Sequence, residues 1–344
     1  MLKKLWLLIL LCILISIGYF MAKKQESSES ITISFCGDVM LGRLVNEIME
    51  DKDPQYPWGN TLPLLKQMDL RIINLETTLT NYTEKNPKVF NFRALPERVS
   101  ILKAAQIDLV NLANNHILDF KEPGLFETIE TLNNAGIYHV GAGVNDLEAG
   151  KPIIITKNDI RIGVIGYTDN EPTWKAAPNI IGTNYIEIGN QSALEKVKTH
   201  IASLRSNVDI LIITIHWGPN MKQKPSAEFI EWAHAIIDAG ADIIHGHSAH
   251  IFQGIELYNN KIIMYDTGDF IDDYAVDPLL RNDQSFLFTV TVNKNGPQFI
   301  KLYPVLIDTM QVNQAIGKDK KEIIEKMKRL SLELGTRLDD INFH

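Results

Sequence analysis

The stretch Ala241-Asp242-Ile243-Ile244-His245-Gly246-His247-Ser248-Ala249-His250 places three imidazoles directly after a short apolar run. The run predicts a buried strand with the histidines at its carboxyl end, the edge at which open α/β sheets bind ligands. Imidazole suits zinc, iron and nickel, whereas carboxylates suit manganese and magnesium. A lone histidine here would more often close a loop, but three within six residues favour a metal-binding turn.

Four other apolar runs also lead into polar side chains. They are residues 31–35 before Gly37-Asp38, 70–73 before Asn74-Leu75-Glu76, 107–110 before Asn111, Asn114, Asn115 and His116, and 210–215 before His216-Trp217-Gly218. Short β-branched runs are typical of parallel strands buried on both faces. Each polar residue alone is a weak signal, because Asp after Gly often caps a helix and adjacent Asn residues often form side-chain turns. Together the runs indicate one site built from several strand ends.

Five of these motifs occur in a fixed order: Gly37-Asp38, Asn74-x-Glu76, Asn114-Asn115-His116, His216-Trp217-Gly218 and Gly246-His247-x-x-His250. In that order they resemble the CapA-type poly-γ-glutamate capsule biosynthesis proteins, a family similar to the calcineurin-like metallophosphoesterases. The resemblance covers residues 31–275, including Phe90-x-Phe92-x-Ala94-x-Pro96 and Tyr265-Asp266-Thr267-Gly268-Asp269-Phe270. It implies a metallophosphatase-like four-layer α/β/β/α sandwich. The residue pattern alone predicts only an α/β fold with mixed sheets.

The resemblance also implies a site for one or two divalent metal ions, namely Mn, Zn or Fe. It places Asp38 on one metal and Glu76 between two metals. It assigns Asn115 and His216 to the second metal and divides His247 and His250 between the two. His116 would face the substrate as a proton donor or charge stabiliser, which makes it the predicted catalytic residue. We expect substrate contacts at Asn74, Arg93 and Asn114.

The sequence departs from the implied pattern in three of its motifs. Met40 stands where the calcineurin-like pattern has a His, and a thioether is a poor ligand for a hard cation. Pro219 and Asn220 stand where an acid usually follows His-Trp-Gly, and Asp269 replaces a usual Asn. The departures leave open whether both metal positions are filled.

Two classes of function fit these residues. A metal pair can activate water and hold both the attacking and the leaving oxygen, which predicts a metallophosphoesterase-like hydrolase that acts in poly-γ-glutamate biosynthesis, export or processing. Because fold does not determine function, the alternative is a noncatalytic polymer-export or assembly subunit that retains the metallophosphatase fold.

The amino terminus predicts the compartment. Lys3 and Lys4 precede an uncharged run of 18 residues, 5–22, that is closed by Lys23 and Lys24. The run is long enough to span a bilayer, and no small-x-small cleavage pattern follows it, which favours an uncleaved anchor over a signal peptide. The charged amino terminus predicts a cytoplasmic tail, so the remainder is expected to be extracytoplasmic in a single-pass cell-membrane protein.

The expected organisation is a tail and transmembrane helix at 1–24, a polar linker at 25–30, a metallophosphoesterase-like domain at 31–310 and a C-terminal helical segment at 311–344. Helices are predicted at 96–105, 125–135, 194–204, 227–239 and 318–334. A hairpin is predicted from 285–292 and 299–306, with a turn at 293–296.

Composition limits the partners. The net charge is −8, from 42 acidic and 34 basic residues, and this excludes nucleic-acid binding through a basic face. The bulk protein would also repel poly-γ-glutamate or a related envelope polymer, so contacts with such a partner must be local. The other expected partners are the membrane and membrane-embedded synthase subunits.

Cys12 lies in the apolar run, so no disulfide with Cys36 is expected, and Cys36 is predicted to pack in the core.

Overall fold

The computed structural model describes residues 30–338 and 342–343. The predicted tail and anchor at 1–24, and most of the linker, lie outside the described residues, so the transmembrane helix stays a prediction. No helix in the described part of the chain is both long and apolar enough to cross a membrane.

The described chain alternates strands and helices. The strands are β1 (Ile31–Val39), β2 (Leu70–Leu75), β3 (Thr78–Leu79), β4 (Arg93–Ala94), β5 (Leu109–Asn111), β6 (Tyr138–Val140), β7 (Ala142–Gly143), β8 (Ile153–Lys157), β9 (Ile160–Thr168), β10 (Gly182–Thr183), β11 (Ile210–His216), β12 (Ile243–His247), β13 (Ile255–Tyr258), β14 (Lys261–Met264), β15 (Asp269–Ile271), β16 (Gln284–Asn293), β17 (Gly296–Asp308), β18 (Gln311–Gln314) and β19 (Asn342–Phe343). The α-helices are α1 (Arg43–Ile48), α2 (Leu62–Leu65), α3 (Val99–Ala104), α4 (Lys121–Ala135), α5 (Asp146–Ala149), α6 (Gln191–Arg205), α7 (Ala227–Asp238) and α8 (Gly317–Glu333). Short 3₁₀ helices occupy Tyr56–Thr61, Pro96–Arg98 and Pro172–Trp174.

Two large mixed sheets form the framework. The first has the order β18-β17-β16-β1-β2-β5-β6, with β15 paired to β1 and β19 to β17. Its β1, β2, β5 and β6 are mutually parallel, whereas β16, β17 and β18 are antiparallel. The second has the order β13-β14-β12-β11-β9-β8, with β9, β11, β12 and β14 parallel. The predicted α/β class is confirmed.

Alternation along the strands sends side chains to two different apolar clusters. In β11, Ile210 and Ile212 join a cluster that also contains Ile33 and Phe35 of β1. Their neighbours, such as Ile213, join a different cluster with residues of α6 and α7. Successive strand residues point to opposite faces. One face of the second sheet therefore shares a core with the first sheet, and the other face is covered by helices.

A third cluster lies between the first sheet and the helices on that side. It combines Ile73 of β2 and Val110 of β5 with Ile101 of α3 and Leu125 of α4. Cys36 belongs to this cluster and is buried with a free thiol, so its predicted packing role is confirmed.

Most predicted helices and the predicted hairpin are confirmed, with shifted ends. Helix α6 begins after Asn190, whose Oδ1 accepts the backbone N–H groups of Ser192 and Ala193 at 2.9 and 3.1 Å. Helix α4 ends at Gly136, which has φ 71°, but begins a turn earlier than predicted. The predicted helix at 96–105 is a 3₁₀ turn followed by α3.

The C-terminal helix contributes to the core shared by both sheets. Ile323, Met327 and Leu330 of α8 are buried in that cluster, at the spacing of one helix face. The preceding strand β18 pairs with β17. Strand β18 and helix α8 are thus packed against the rest of the described protein.

Candidate metal centre

The two sheets present polar side chains at neighbouring strand ends. In the first sheet Asp38 is in register with Asn74, and Asn74 with Asn111. In the second sheet His216 is in register with His247. The two sheets are in contact here through Asn74. Its Nδ2 lies 2.7 Å from Oδ1 of Asp38 in the first sheet and 3.2 Å from Nδ1 of His216 in the second. The predicted convergence of strand ends is therefore present, although it is divided between two sheets.

Two overlapping groups of buried side chains could hold a metal ion, and Asp38 belongs to both. The first group is Asp38, His216 and His247, and the second is Asp38, Glu76 and His250. Oδ1 of Asp38 lies 3.8 Å from Nδ1 of His216 and 3.9 Å from Nδ1 of His247. Oδ2 of Asp38 lies 3.3 Å from Nδ1 of His250. Each carboxylate oxygen of Asp38 thus faces a different group.

Several oxygen and nitrogen atoms that could bind a cation are buried and have no hydrogen-bond partner among the described residues. They are Oε1 and Oε2 of Glu76, Nε2 of His216 and Oδ1 of Asn115. Oε1 of Glu76 lies 3.9 Å from Nε2 of His216, which joins the two groups. Buried polar atoms without a partner are costly, and a bound ion is one accepted explanation. The residues present fit a divalent metal with mixed carboxylate and imidazole ligands.

His245 is the one histidine of the opening stretch that belongs to neither group. Its Nε2 lies 3.0 Å from the carbonyl oxygen of Cys36, and its Nδ1 lies 3.1 Å from Oγ1 of Thr214. The same Thr214 oxygen lies 3.1 Å from Nε2 of His247. His245 therefore connects β1 to the ligand histidine through one hydroxyl.

This chain of hydrogen bonds fixes the protons of both imidazoles. The Cys36 carbonyl can only accept, so Nε2 of His245 donates, and Nδ1 of neutral His245 accepts from Thr214. The Thr214 oxygen then accepts from Nε2–H of His247. Nδ1 of His247 is left with its lone pair, as a metal ligand requires, and lies 3.0 Å from Nδ1 of His216 and 3.9 Å from Oδ1 of Asp38.

The turn after β12 orients His250. Ser248 and His250 have φ values of 118° and 58°, which non-glycine residues rarely adopt. The turn is held because the backbone N–H of Ala249 donates to Oδ2 of Asp266 at 2.7 Å. Nδ1 of His250 lies 2.9 Å from Oδ1 of Asp269. Asp266 and Asp269 thus hold the backbone and the ring at this ligand position.

Close backbone approach requires glycine at two positions. A Cβ on Gly37 would lie 1.7 Å from the carbonyl oxygen of Gly268, and one on Gly246 would lie 2.0 Å from that of Tyr265. Glycine allows these approaches because it has no Cβ. The segment that carries Asp266 and Asp269 therefore packs directly against both ligand-bearing strands.

His116 lies beside the second group. Its Nδ1 is 2.5 Å from Oδ2 of Asp119, and its Nε2 is 3.6 Å from Oε1 of Glu76. Asp119 also accepts from the backbone N–H of Phe92 at 2.7 Å, and the Phe92 ring packs edge-on against His116 with centroids 4.4 Å apart. The ring is therefore held in one orientation.

Comparison with known proteins assigns a family to this arrangement. The sequence model of a family described as bacterial capsule synthesis protein PGA_cap matches residues 32–274. The chain belongs to the PGA_cap family. The matched residues contain all the side chains of the two metal groups.

Three curated relatives agree with this assignment. A probable polyglutamine synthesis accessory protein of Mycobacterium tuberculosis (strain ATCC 25618 / H37Rv) is 30% identical over 90% of this chain and 93% of its own length. The capsule biosynthesis protein CapA of Bacillus anthracis is 30% identical over 86% of this chain and 73% of its own. The PGA biosynthesis protein CapA of Bacillus subtilis (strain 168) is 28% identical over 90% and 79%. The resemblance to CapA-type proteins is confirmed.

The PGA_cap side chains predicted as metal ligands lie together, with one difference in detail. Asp38, Glu76, His216, His247 and His250 form the two groups. Asp38 is the residue that both groups share, and the predicted bridging position of Glu76 stays a prediction. Asn115 belongs to neither group, but its buried, unpartnered Oδ1 leaves it available as a ligand.

The side chains predicted to contact substrate in this PGA_cap protein have partners within the chain. Both Asn74 and Asn114 are fully buried, and Nδ2 of Asn114 lies 3.2 Å from Oδ1 of Asn74. Oδ1 of Asn114 accepts the backbone N–H of His116 at 3.0 Å. Arg93 donates to the carbonyl of Tyr82 at 3.2 Å and stacks over Phe120. Substrate binding by these residues stays a prediction, and the two asparagines act structurally on Asp38 and His116.

Burial and charge shift the pKa values of the PGA_cap site. Burial lowers the pKa of His216 to about 3 and that of His245 to about 4, so both rings are neutral at pH 7. Burial, and next the charge of Asp38, raise the pKa of Glu76 well above its usual value. Although burial opposes it, a hydrogen bond with His250 and the charges of nearby histidines lower the pKa of Asp38.

The positioning roles of four residues were not predicted from the sequence: Thr214, Asp266 and Asp269 beside the ligand histidines, and Asp119 beside His116. Asp266 and Asp269 lie in a motif that carried the resemblance, but sequence gave no sign of which histidine they contact. Thr214 lies within an apolar strand, where threonine is also an ordinary β-branched residue. Its role depends on the pairing of β11 with β12, which sets Thr214 opposite His245.

We predict that Thr214→Val weakens binding of manganese or zinc by about 10- to 100-fold, the usual effect of losing a partner of a metal ligand. The change removes the hydroxyl that orients His247 and keeps the β-branched shape. Thr214→Ser, which keeps the hydroxyl, is the matched control and should bind as the wild type does. Metal titration with elemental analysis measures the effect. Equal affinities in the wild type and Thr214→Val would show that the hydroxyl does not set the ligand.

Proposed function

We propose that this protein is a membrane-anchored, extracytoplasmic protein of capsule or poly-γ-glutamate biosynthesis with a metal-dependent, hydrolase-like site. The observation that carries the proposal is the convergence of unpartnered, buried ligand atoms around Asp38 in a member of the PGA_cap family. The names of the relatives support the polymer, since they are described as capsule biosynthesis, PGA biosynthesis and polyglutamine synthesis accessory proteins.

We further propose that the layers form an α/β/β/α sandwich of the metallophosphatase type. The alternation of side chains in β11 between a core shared by both sheets and a helix-covered cluster supports this arrangement. The separate cluster between the first sheet and helices such as α3 and α4 supports the outer layer on the other side.

A divalent ion, when bound, supplies a Lewis acid that lowers the pKa of water and polarises an oxygen of the scissile group. Asp38, His216 and His247 would hold one ion, and Asp38, Glu76 and His250 a second, with Asn115 available to either. The ion can be manganese, zinc or iron, because both carboxylate and imidazole are present.

His116 is placed to exchange a proton with a bound ligand. Its Nδ1 is occupied by Asp119, so Nε2 is the nitrogen that remains, and it faces the Glu76 carboxylate. Asp119 in turn is held by the backbone of Phe92. In this proposal His116 is the catalytic residue, and Asp119 and Phe92 position it.

An acidic polymer would need local cationic contacts, because the net charge of the chain is −8. Arg93 remains the proposed contact near the site, and membrane-embedded synthase subunits remain the proposed protein partners. An exported or lipid-linked polymer is the substrate class that an extracytoplasmic site can reach.

One observation favours the noncatalytic alternative, in which the protein assembles or exports the polymer. Met40 is fully buried and occupies the position where calcineurin-like enzymes have a histidine. Its backbone N–H donates to the carbonyl of Ile271 at 2.8 Å, within the strand framework. The second group therefore has fewer nitrogen ligands than a full two-metal enzyme site.

The catalytic form of the proposal predicts that the full chain, stripped of metal and reloaded with manganese, zinc or iron, cleaves a generic phosphodiester or phosphomonoester. His116→Gln should lower the rate by about 10²- to 10⁴-fold, the usual contribution of a general acid or base, while the metal content stays unchanged. His139→Gln, which removes a half-buried imidazole outside both metal groups, is the control and should keep the rate. Metal binding without any cleavage would instead establish the noncatalytic alternative.

The proposed topology predicts that protease added to intact protoplasts digests the chain beyond Lys24. The reason is that the uncharged run at 5–22 would span the membrane, with Lys3 and Lys4 on the cytoplasmic side. Immunoblotting for a C-terminal tag measures the digestion. Full protection until the membrane is permeabilised would reverse the topology and place the metal groups in the cytoplasm.

A further inference from the structure

A row of four rings borders the second metal group. His116 packs edge-on against Phe92 with centroids 4.4 Å apart, and Phe92 in turn packs edge-on against Tyr274 at 6.1 Å. The Tyr274 ring contacts the ring of His250 at 5.1 Å. His250 belongs to the second group, and Nε2 of His116 lies 3.6 Å from Oε1 of Glu76 in the same group. Tyr274 therefore lies at the edge of the candidate metal centre, next to a candidate ligand.

The hydroxyl of Tyr274 is a free hydrogen-bond donor. None of the described residues makes a hydrogen bond with it, whereas the backbone N–H of Tyr274 donates to Oδ1 of Asp272 at 2.7 Å. The side chain is half-buried, and a tyrosine hydroxyl that leaves bulk water usually has a partner. Burial raises the pKa of this phenol, although the charge of His250 lowers it, and the charge of Glu76 raises it further. The phenol thus keeps its proton at pH 7, beside charged groups of the metal centre.

Arg43 and Asp273 hold the tyrosine ring in place. The Arg43 guanidinium lies over the ring of Tyr274, 5.6 Å from its centroid, and over that of Phe92 at 4.8 Å. Oδ2 of Asp273 accepts from Nε of Arg43 and from the backbone N–H of Leu44, each at 3.0 Å, and Oδ1 lies 2.9 Å from Nη2 of Arg43. These contacts keep Arg43 at φ 50°, which non-glycine residues rarely adopt. Since Asp273 balances its charge, Arg43 positions the rings and is not a free cation.

We propose that the hydroxyl of Tyr274 donates a hydrogen bond to a negatively charged oxygen of the ligand held at the second metal group, with Arg43 and Asp273 as positioning residues. The inference rests on the proposed function for the metal that holds this oxygen. A donor that is fixed before the ligand arrives stabilises negative charge well, because it needs no reorganisation. The contacts of Tyr274 with Arg43 and His250 supply this fixation.

The test is isothermal titration of the full chain, loaded with manganese and freed of unbound metal, with inorganic phosphate. The wild type should bind phosphate, and removal of manganese should abolish binding. Tyr274→Phe keeps the ring and removes the hydroxyl. It should bind phosphate about tenfold or more weakly, the usual effect of losing a hydrogen bond to a charged group, while its manganese content stays unchanged.

Tyr138→Phe is the matched control. Tyr138 is exposed, begins the edge strand β6 and belongs to neither metal group. This variant should bind phosphate as the wild type does. Equal affinity in the wild type and Tyr274→Phe, or no phosphate binding by the loaded wild type, would overturn the inference. A lower manganese content in Tyr274→Phe would also overturn it, because the hydroxyl would then act on the metal group itself.

Arg43→Lys tests the positioning role. Lysine keeps the positive charge but loses the planar group that stacks on the rings and pairs twice with Asp273. The change should weaken phosphate binding in the wild type and have no further effect in Tyr274→Phe, since residues that act through one contact are not additive. An equal loss in both backgrounds would show that Arg43 acts independently of the hydroxyl.

Cleavage of a generic phosphomonoester separates this result from the proposed function. Cleavage by the wild type, with equal phosphate affinity in the wild type and Tyr274→Phe, would overturn the inference alone. Absence of cleavage, with phosphate binding that depends on both manganese and the Tyr274 hydroxyl, would support the inference and refute the hydrolase.

Discussion

A backbone carbonyl can only accept hydrogen bonds. At Cys36 this constraint determines which ring nitrogens of His245 and His247 carry a proton. The carbonyl lies in β1 of the first sheet, and the imidazole that donates to it, His245, lies in β12 of the second. Through Thr214 the constraint reaches His247 and leaves the lone pair on its Nδ1, which lies 3.0 Å from Nδ1 of His216. The contact thus joins the sheets and prepares a ligand at once. The same strand places Asp38 two residues after Cys36, with one carboxylate oxygen toward each candidate group.

Burying the carboxylates and imidazoles of this candidate metal centre costs folding free energy. Carboxylates and imidazoles without solvent are stable only when paired, hydrogen-bonded or bound to a metal. Here Asn74, Asp266 and Asp269 provide fixed partners for some atoms, while both oxygens of Glu76 and Nε2 of His216 have none. Asp269 carries a further unpartnered oxygen. The pattern separates atoms that hold the site in place from atoms that are free to bind an ion. Stability given up at these positions is consistent with selection for binding rather than for folding.

The sequence predicted the parts of this structure that depend on local pattern. Apolar runs located the strands that carry Asp38, Asn74, His216 and His247, and apolar residues at three- and four-residue spacing located helices such as α6. Local pattern could not show that these strands belong to two sheets, since parallel pairing links β1 to β2 and β11 to β12 over long separations. It also placed the histidines after their strand, whereas β12 continues through His247 because β11 pairs with it up to that residue.

Other features required the three-dimensional arrangement. The three histidines of the opening stretch were equivalent in sequence, yet His245 is separated from the others by its contact with Cys36, 209 residues away. Strand β9 was not predicted, although it pairs with β11 along its length. Gly163 and Gly166 lie within it and weaken the strand pattern, since glycine is rare inside strands.

The central claim is that Asp38 joins two metal positions formed by strand ends of both sheets. Anomalous diffraction from crystals grown with manganese or zinc tests it most directly. The account predicts an anomalous peak within roughly 2.0–2.3 Å of a carboxylate oxygen of Asp38 and of Nδ1 of His247, and places any second peak between Asp38, Glu76 and His250. Saturating metal with no peak at Asp38, and with Nδ1 of His216 still hydrogen-bonded to Nδ1 of His247, would contradict it.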